Sequence, residues 1–285
     1  MNEYSHITHS WITRVIFGIT VCVFGIVLDS IYVQIDWQPM TLLLLITGMI
    51  ASEEIRGGSY KTLGFTFDSY MLKESLFGLL MGIVPSILLI SLFAMNAWIE
   101  LEWNAQFEIS AMLPIISLAI IEEMIFRGII FQALVERFGM IKVSLISAML
   151  FRMAHLANPN YDSISMLNTF LASLVFSYAW FHTRGLWLPI LLHISWNLML
   201  YLMGLTLSGM SLQNGLFSIV LSPDIPMPWL HSEYGVEGTV FCMLTLILFF
   251  PIIHMLPQSP YRMAGFFRLN YAIPSASQEG DIYED

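Results

Sequence analysis

The sequence predicts an all-α membrane protein, a polytopic helical bundle of about eight transmembrane helices with both termini in the cytoplasm. Of its 285 residues, 57% are hydrophobic and only 11% are charged, whereas a soluble domain carries about 25% charged residues. The apolar residues occur in long continuous runs. Such runs indicate helices, because the strands of a membrane barrel alternate between apolar and polar residues.

Eight apolar runs approach the length of about 20 residues that a membrane span requires. The first begins near Trp11 and has no small-residue cleavage site after it, so we expect a retained anchor. The second run is the shortest. The predicted spans are residues 12–33, 38–52, 73–97, 109–134, 140–157, 163–182, 186–206 and 238–257.

The distribution of basic residues sets the predicted topology, because Lys and Arg are enriched in cytoplasmic loops. With a cytoplasmic N-terminus and eight spans, nine of the eleven basic residues lie in loops or at span ends on the cytoplasmic side, and only Arg127 and Arg152 lie within spans. The nine are Arg14, Arg56, Lys61, Lys73, Arg137, Lys142, Arg184, Arg262 and Arg268. Omitting the second span would place Arg14 opposite Arg56 and Lys61, so we retain it.

The chain is predicted to be a single transmembrane domain, residues 1–285, with a polar tail at about residues 270–285 that we expect to be disordered. Residues 207–237 contain no Lys or Arg and are expected to lie along the outer interface. The basic residues are scattered and form no patch, which argues against nucleic-acid binding. Cys22 and Cys242 lie within apolar runs and are predicted to be packing residues.

The fourth predicted span contains charged residues, in the stretch IIEEMIFRGIIFQAL at 121–135. Each charge at bilayer depth costs roughly 2.5–3.5 kcal/mol, so charged residues in a span usually mark a functional site. Glu123 and Arg127 are four residues apart and share a helix face, which predicts a supporting ion pair. Glu122 points about 100° away from that pair. It is therefore the candidate general base.

Two further spans carry polar residues at helical spacing: Phe151 and His155 in FRMAH, and His193 and Asn197 in HISWN. Polar groups in a span normally face the bundle interior or an aqueous cavity, so we expect these groups to converge. Two arrangements remain open. In one, Glu122 and His155 activate water, while His193 and Asn197 stabilise a tetrahedral oxyanion. In the other, Glu122, His155 and His193 hold a metal ion with one position open for water.

The order of these motifs resembles the CPBP family of intramembrane proteases, which comprises the CAAX proteases and the bacteriocin-processing Abi proteins. The motifs are E-E-x-x-x-R, F-x-x-x-H and H-x-x-x-N, at residues 122–127, 151–155 and 193–197. The stretch 178–197, with Arg184-Gly185 and Pro189, is also similar to the family, as is LGF at 63–65. The resemblance covers a catalytic core of about residues 60–206.

The resemblance implies an endopeptidase that cleaves a membrane-associated peptide or protein substrate within or near the bilayer, from a cavity open to the cytoplasmic side. It implies that Glu122, His155 and His193 are essential. Asn197 completes the candidate catalytic set, and the predicted supporting residues are Glu123, Arg127 and Phe151. Both metal-dependent and glutamate-dependent reactions fit the resemblance, so a divalent metal such as zinc stays open. We expect a multi-pass protein of the bacterial plasma (inner) membrane.

Two other functions are compatible with polar residues in spans. A proton-coupled transporter uses Glu and His as proton relays, but it predicts discontinuous helices and an inverted repeat, and the sequence shows neither. A non-catalytic membrane scaffold or immunity factor would need no intact set of motifs. A second Glu-Glu-Arg stretch, SEEIR at 52–56, has a different spacing and is predicted to be a solvated loop end.

Overall fold

The structure, a computed structural model, describes residues 11–33, 38–55, 61 and 63–258, and these residues are mostly helical. The helices, in chain order, are α1 (Trp11–Leu28), α2 (Pro39–Ile55), α3 (Ser69–Met95), α4 (Met112–Arg127), α5 (Ile129–Phe138), α6 (Met140–Ala154), α7 (Ser163–Thr183), α8 (Trp187–Leu202) and α9 (Val240–His254). The predicted disordered tail, together with Arg56, Arg262 and Arg268, lies outside the described residues.

Within the described residues, four helical stretches are long and apolar enough to cross a membrane: Trp11–Ile31, Ser69–Met95, Ile109–Phe138 and Ser163–Thr183. Trp187–Leu202 and Val240–His254 are apolar but shorter. Large apolar side chains point away from the bundle on several helices, including Ile16 and Phe24 of α1 and Ile141 and Met153 of α6. Such outward-facing apolar surface suits contact with lipid, and the all-α membrane class is supported. The count of eight spans stays a prediction.

The fourth predicted span is not one uninterrupted helix. Helix α4 ends at Arg127, and the chain continues as α5 after Gly128. A Cβ at Gly128 would lie 2.0 Å from the Met124 carbonyl oxygen, so the close turn needs glycine here. The Gln132 side chain donates to the Arg127 carbonyl at 3.0 Å, which satisfies an acceptor at the interruption.

Helix α8, which carries His193 and Asn197, packs closely against α3. Two glycines of α3, Gly78 and Gly82, form a G-x-x-x-G pattern on the contacting face. A Cβ at Gly82 would lie 2.5 Å from the backbone nitrogen of Trp196, and one at Gly78 would lie 2.9 Å from the carbonyl oxygen of Leu188. Small residues at such spacing let membrane helices approach closely. The position of α8 is therefore fixed by backbone contact with α3.

The two ends of the bundle are distinct. At the first, which we term the basic end, Arg14 of α1 binds Glu53 of α2 at 3.1 Å and Glu136 of α5 at 2.6 Å. The Leu186 amide donates to the Gly64 carbonyl at the same end. The described basic residues that lie there are Arg14, Lys61, Lys73, Arg137, Lys142 and Arg184.

The opposite end, which we term the acidic end, is covered by residues 98–111, 155–162 and 203–239. Two strands that the sequence did not predict, β1 (Ile99–Trp103) and β2 (Phe217–Leu221), pair there in antiparallel fashion. The Asn104 side chain donates to carbonyls of residues 213 and 215, and the Asn158 side chain donates to the Ser208 carbonyl. Residues 207–237 therefore do not simply lie along an interface but form part of a folded cover on the bundle.

Candidate active site

Glu123 is the centre of the buried charge cluster. Its side chain is fully buried, and its Oε1 atom accepts a bond from Arg127 at 3.1 Å. The same oxygen lies 2.9 Å from Nδ1 of His193. The ion pair predicted from the spacing of four residues is present, and the structure adds His193 to it.

Arg127 is fully buried and ties three helices together. Its second terminal nitrogen donates to the backbone carbonyl of Ser173 at 2.8 Å and to the hydroxyl of Ser173 at 2.7 Å. The guanidinium also lies over the rings of Phe126, Phe151 and Phe176, with its carbon 5.8, 5.3 and 5.1 Å from the ring centroids. Aromatic faces attract a desolvated cation. Arg127 thus links α4 to α6 and α7 around the site.

His193 lies between the two glutamates. Its Nε2 atom is 3.7 Å from Oε2 of Glu122, whose side chain is 21% exposed. Its ring stacks on Phe176, with centroids 4.9 Å apart. Because the Glu123 carboxylate accepts from Nδ1, that nitrogen carries the hydrogen in the neutral ring and Nε2 is left as an acceptor toward Glu122.

His155 is placed differently from the prediction. We expected it within the span at 140–157, but α6 ends at Ala154 and His155 follows the last helical residue. Its Nδ1 atom donates to the Phe151 carbonyl at 2.8 Å, and its ring lies 4.7 Å from the Phe151 ring. The remaining nitrogen, Nε2, is therefore an acceptor in the neutral ring.

A partly open cavity of about 60 Å³ joins this cluster to the acidic end. Its wall includes His155, His193, Asn197 and Phe151, which are four of the predicted site residues. Glu122 is not on that wall but borders His193, which is. The remaining lining residues are Asn168, Thr169, Ala172, Phe176, Leu192, Trp196, Ser208, Tyr234, Glu237, Cys242, Leu246 and Phe249.

The metal site that we considered from the sequence stays a prediction. Among residues 11–33, 38–55, 61 and 63–258, no three His, Cys, Asp or Glu side chains form a group able to hold a metal ion. Nε2 of His193 lies 3.7 Å from Glu122, and His155 uses Nδ1 on a backbone carbonyl, so each neutral ring keeps Nε2 as an acceptor.

Sequence reasoning missed several residues around the site. Ser173 and Asn168 belong to a polar stripe on α7 (Ser165, Asn168, Thr169, Ser173 and Ser177), and all five side chains are buried. The helical spacing of that stripe was a usable signal. Glu237 and Tyr234 come from the cover at the acidic end, and nothing in the local sequence indicated that they would reach a cavity. Burial raises the pKa of the Tyr234 phenol, aided by the Glu237 carboxylate, so Tyr234 stays neutral.

The chain matches a known protein family over part of its length. A family model described as type II CAAX prenyl endopeptidase Rce1-like matches residues 104–199. The chain carries an Rce1-like domain of the CPBP family. No curated protein matches the chain, and no solved structure does.

The Rce1-like domain contains every residue of the candidate site that the sequence predicted. It begins in the cover at the acidic end and ends within α8, so it includes the broken helix, α6 and α7. The family implies a CAAX-type protease and supports an intramembrane endopeptidase that acts on a peptide or protein substrate. Four long apolar helices and the family together indicate an integral membrane protein.

Proposed function

We propose that the protein is an intramembrane endopeptidase that uses Glu122, His155, His193 and Asn197 to hydrolyse a peptide bond of a membrane-associated substrate, in a bacterial plasma membrane. The observation that carries this proposal is the series Arg127–Glu123–His193–Glu122, buried except for the partly exposed Glu122, beside a cavity lined by His155 and Asn197. Elements distant in the chain bring these groups together. Charged side chains inside a membrane protein cost free energy and usually mark functional sites, which supports a functional role for this cluster.

Glu122 and His193 are arranged to hold the attacking water. Oε2 of Glu122 and Nε2 of the neutral His193 ring are both acceptors, 3.7 Å apart, with no hydrogen of their own between them. A water about 2.8 Å from each would donate one hydrogen to each acceptor. Its lone pairs would then face the substrate. This pairing differs from our expectation from the sequence, in which Glu122 worked with His155 and His193 was an oxyanion donor.

The remaining groups act on the substrate. As the water oxygen bonds to the carbonyl carbon, Glu122 takes the water proton, and the Asn197 amide donates to the developing oxyanion. His155, held through Nδ1, orients the scissile amide by accepting its N–H at Nε2. Collapse of the tetrahedral intermediate breaks the C–N bond, and the proton on Glu122 passes to the leaving amine. Glu123 fixes the ring orientation and tautomer of His193.

The proposal is tested by Glu122→Gln, which keeps the shape of the side chain and removes the base. Peptide N-termini are compared by proteomics in cells that carry wild type, Glu122→Gln, His155→Ala or the control Glu233→Gln. Glu233 is exposed and lies outside the cavity wall. We expect substrate termini to disappear with Glu122→Gln, because loss of the base should slow cleavage by at least about 100-fold, the usual contribution of acid–base catalysis. They should also disappear with His155→Ala, because this change removes the group that orients the scissile amide. They should persist with Glu233→Gln.

Normal processing by Glu122→Gln would contradict the enzyme and would favour the scaffold reading, because a scaffold needs no base. The purified wild type should also keep its activity after treatment with a chelator. Loss of activity that returns with zinc would show that the metal arrangement forms when substrate binds.

A further inference from the structure

The wall of the cavity carries, at the acidic end, a buried hydrogen-bond acceptor that no donor of the described residues satisfies. The Asn168 side chain is 2% exposed and lies on this wall. Its Nδ2 atom donates to the carbonyls of Glu237 and Thr239, both at 2.8 Å, which fixes the orientation of the amide. Its Oδ1 atom is buried and has no hydrogen-bond partner among the described residues. Such an acceptor is costly unless a ligand supplies a donor.

Glu237 adds a negative charge to the same wall. Its Oε2 atom accepts from both the backbone nitrogen and the hydroxyl of Ser208, which holds the carboxylate in place. Both bonds use Oε2, and within the described part of the chain no hydrogen bond is made to Oε1. Because Asn168 is bonded to the Glu237 backbone, the two acceptors belong to one rigid unit. The unit pairs a fixed carboxylate with a buried amide oxygen.

The surroundings also favour a cation. The described residues of the acidic end include Glu100, Glu102, Glu108, Asp162, Asp224, Glu233 and Glu237. Arg152, in the last turn of α6, is the only Lys or Arg of the described residues at this end. A surface of one sign raises the local concentration of ligands of the opposite sign. A cationic peptide would thus be drawn toward the same end at which Glu237 lines the cavity.

The deeper wall is apolar, with Leu192, Trp196, Leu246 and Phe249. The cavity therefore offers an apolar surface beside the candidate catalytic groups and a carboxylate nearer its end. A peptide that fits both regions has aliphatic or aromatic side chains and one basic residue a short distance along the chain.

We propose that Glu237 and Asn168 form a subsite for a basic side chain, Lys or Arg, of the peptide substrate, and that this subsite determines specificity. This inference rests on the proposed function for the identity of the ligand as a substrate, but binding at the subsite does not require catalysis. Glu237 positions the ammonium or guanidinium group through charge, and Asn168 accepts one of its hydrogens. Cleavage then falls on a bond at a fixed distance from the basic residue.

The experiment uses the full-length protein in lipid nanodiscs and a pair of apolar peptides that differ at one position, Lys or Gln. Both peptides are acetylated and amidated, so that the side chain is the only cation. Binding is measured with the Glu122→Gln variant, which removes the proposed base, and cleavage is measured with wild type. Glu237→Gln keeps an oxygen to accept from Ser208, and Glu233→Gln on the same segment is the matched control.

We expect the Lys peptide to bind about tenfold more tightly than the Gln peptide, the ratio that about 1.4 kcal/mol produces. That preference should vanish with Glu237→Gln and survive Glu233→Gln. Asn168→Leu should weaken binding of the Lys peptide more than that of the Gln peptide. Thermal unfolding of each variant confirms that it is folded.

Equal binding of the two peptides, binding of neither, or equal loss with Glu237→Gln and Glu233→Gln would overturn the subsite. Failure of the proposed function looks different. In that case the Lys preference and its dependence on Glu237 remain, but wild type cleaves neither peptide and Glu122→Gln changes no terminus in cells.

Discussion

Arg127 shows at the level of one residue how a full charge is kept inside an apolar bundle. A buried cation requires both an opposite charge and partners for its hydrogens. Glu123 supplies the charge, Ser173 accepts two hydrogen bonds, and three aromatic rings surround the guanidinium. The same Glu123 oxygen also holds His193. The ion pair therefore stabilises the helices, and its glutamate fixes the orientation of the His193 ring that faces Glu122.

The two adjacent glutamates are expected to respond differently to the same substitution. Glu123→Gln leaves the Arg127 charge buried without its counter-ion, a change that typically costs about 3–5 kcal/mol. It should lower both the unfolding temperature and the rate of cleavage. Glu122→Gln should abolish cleavage and alter stability by less than about 1 kcal/mol, because Glu122 is partly exposed and, among the described residues, its contact with His193 of α8 is 3.7 Å long.

Thermal unfolding of the purified variants and cleavage of the substrate found by N-terminal proteomics provide the comparison. Equal destabilisation by both substitutions would contradict the separate roles that we assign. Arg127→Lys is a useful third variant, since lysine keeps the charge but cannot form the same pair of bonds with Ser173.

What could be predicted at the residue level was limited to contacts within one helix. The spacing of Glu123 and Arg127 identified their pairing, because residues four apart share a face. The bond from His193 to Glu123 depends on how α8 meets α4, which no local spacing encodes. Glu53 was wrongly predicted to lie in a solvated loop end. It is fully buried and binds Arg14, a residue 39 positions away in the chain.

At the level of secondary-structure elements, the contact between α3 and α8 determines where His193 and Asn197 lie. Gly78 and Gly82 bring the α3 backbone against the α8 backbone without intervening side chains. A shift of α8 by one ångström would alter the spacing of His193 from both glutamates, and such misplacement is costly in catalysis. The support of the site therefore extends to residues that touch none of its polar groups.

Alanine at these glycines gives a graded test. A Cβ at Gly82 would come within 2.5 Å of a backbone atom, whereas one at Gly78 would come within 2.9 Å. Overpacking typically costs about 1–3 kcal/mol. We expect Gly82→Ala to lower the unfolding temperature and the cleavage rate more than Gly78→Ala. Leu80→Ala, on the exposed face of the same helix, is the control and should change little.

Thermal unfolding and cleavage assays on the three variants would show the order. A Gly82→Ala protein as stable and active as Leu80→Ala would mean that the helices do not rely on this close approach.

Helix positions were largely predictable, but their interruptions were not. The apolar runs located every helix of the described residues because hydrophobicity and length suffice for that purpose. The break at Gly128 depends on a side chain, Gln132, that satisfies the freed carbonyl, and the end of α6 before His155 depends on a bond from that ring to Phe151. Likewise, β1 and β2 pair across more than a hundred residues, so neither strand could be identified from its own short sequence.

At the scale of the whole molecule, two predictions from the sequence conflict. The charge rule places the basic end in the cytoplasm, and the family resemblance suggested a cavity open to the cytoplasm. In the structure, Ser208, Tyr234 and Glu237 line the cavity, and these residues belong to the acidic end. Both predictions therefore cannot hold. We infer that the charge rule is the one to keep, since the six described basic residues other than Arg127 and Arg152 all lie at one end.

This orientation predicts that the cavity faces away from the cytoplasm. Single cysteines test it in intact cells with a membrane-impermeant maleimide. Glu233→Cys, at the acidic end, and Lys142→Cys, at the basic end, are both exposed positions. The native Cys22 and Cys242 are buried and should react little, which the unmodified protein verifies. We expect Glu233→Cys to be labelled in intact cells and Lys142→Cys to be labelled only after permeabilisation.

The reverse pattern would place the candidate active site on the cytoplasmic side and show that the basic residues do not set the topology. The substrate peptide would then reach the cavity from the cytoplasm, through the cover at the acidic end.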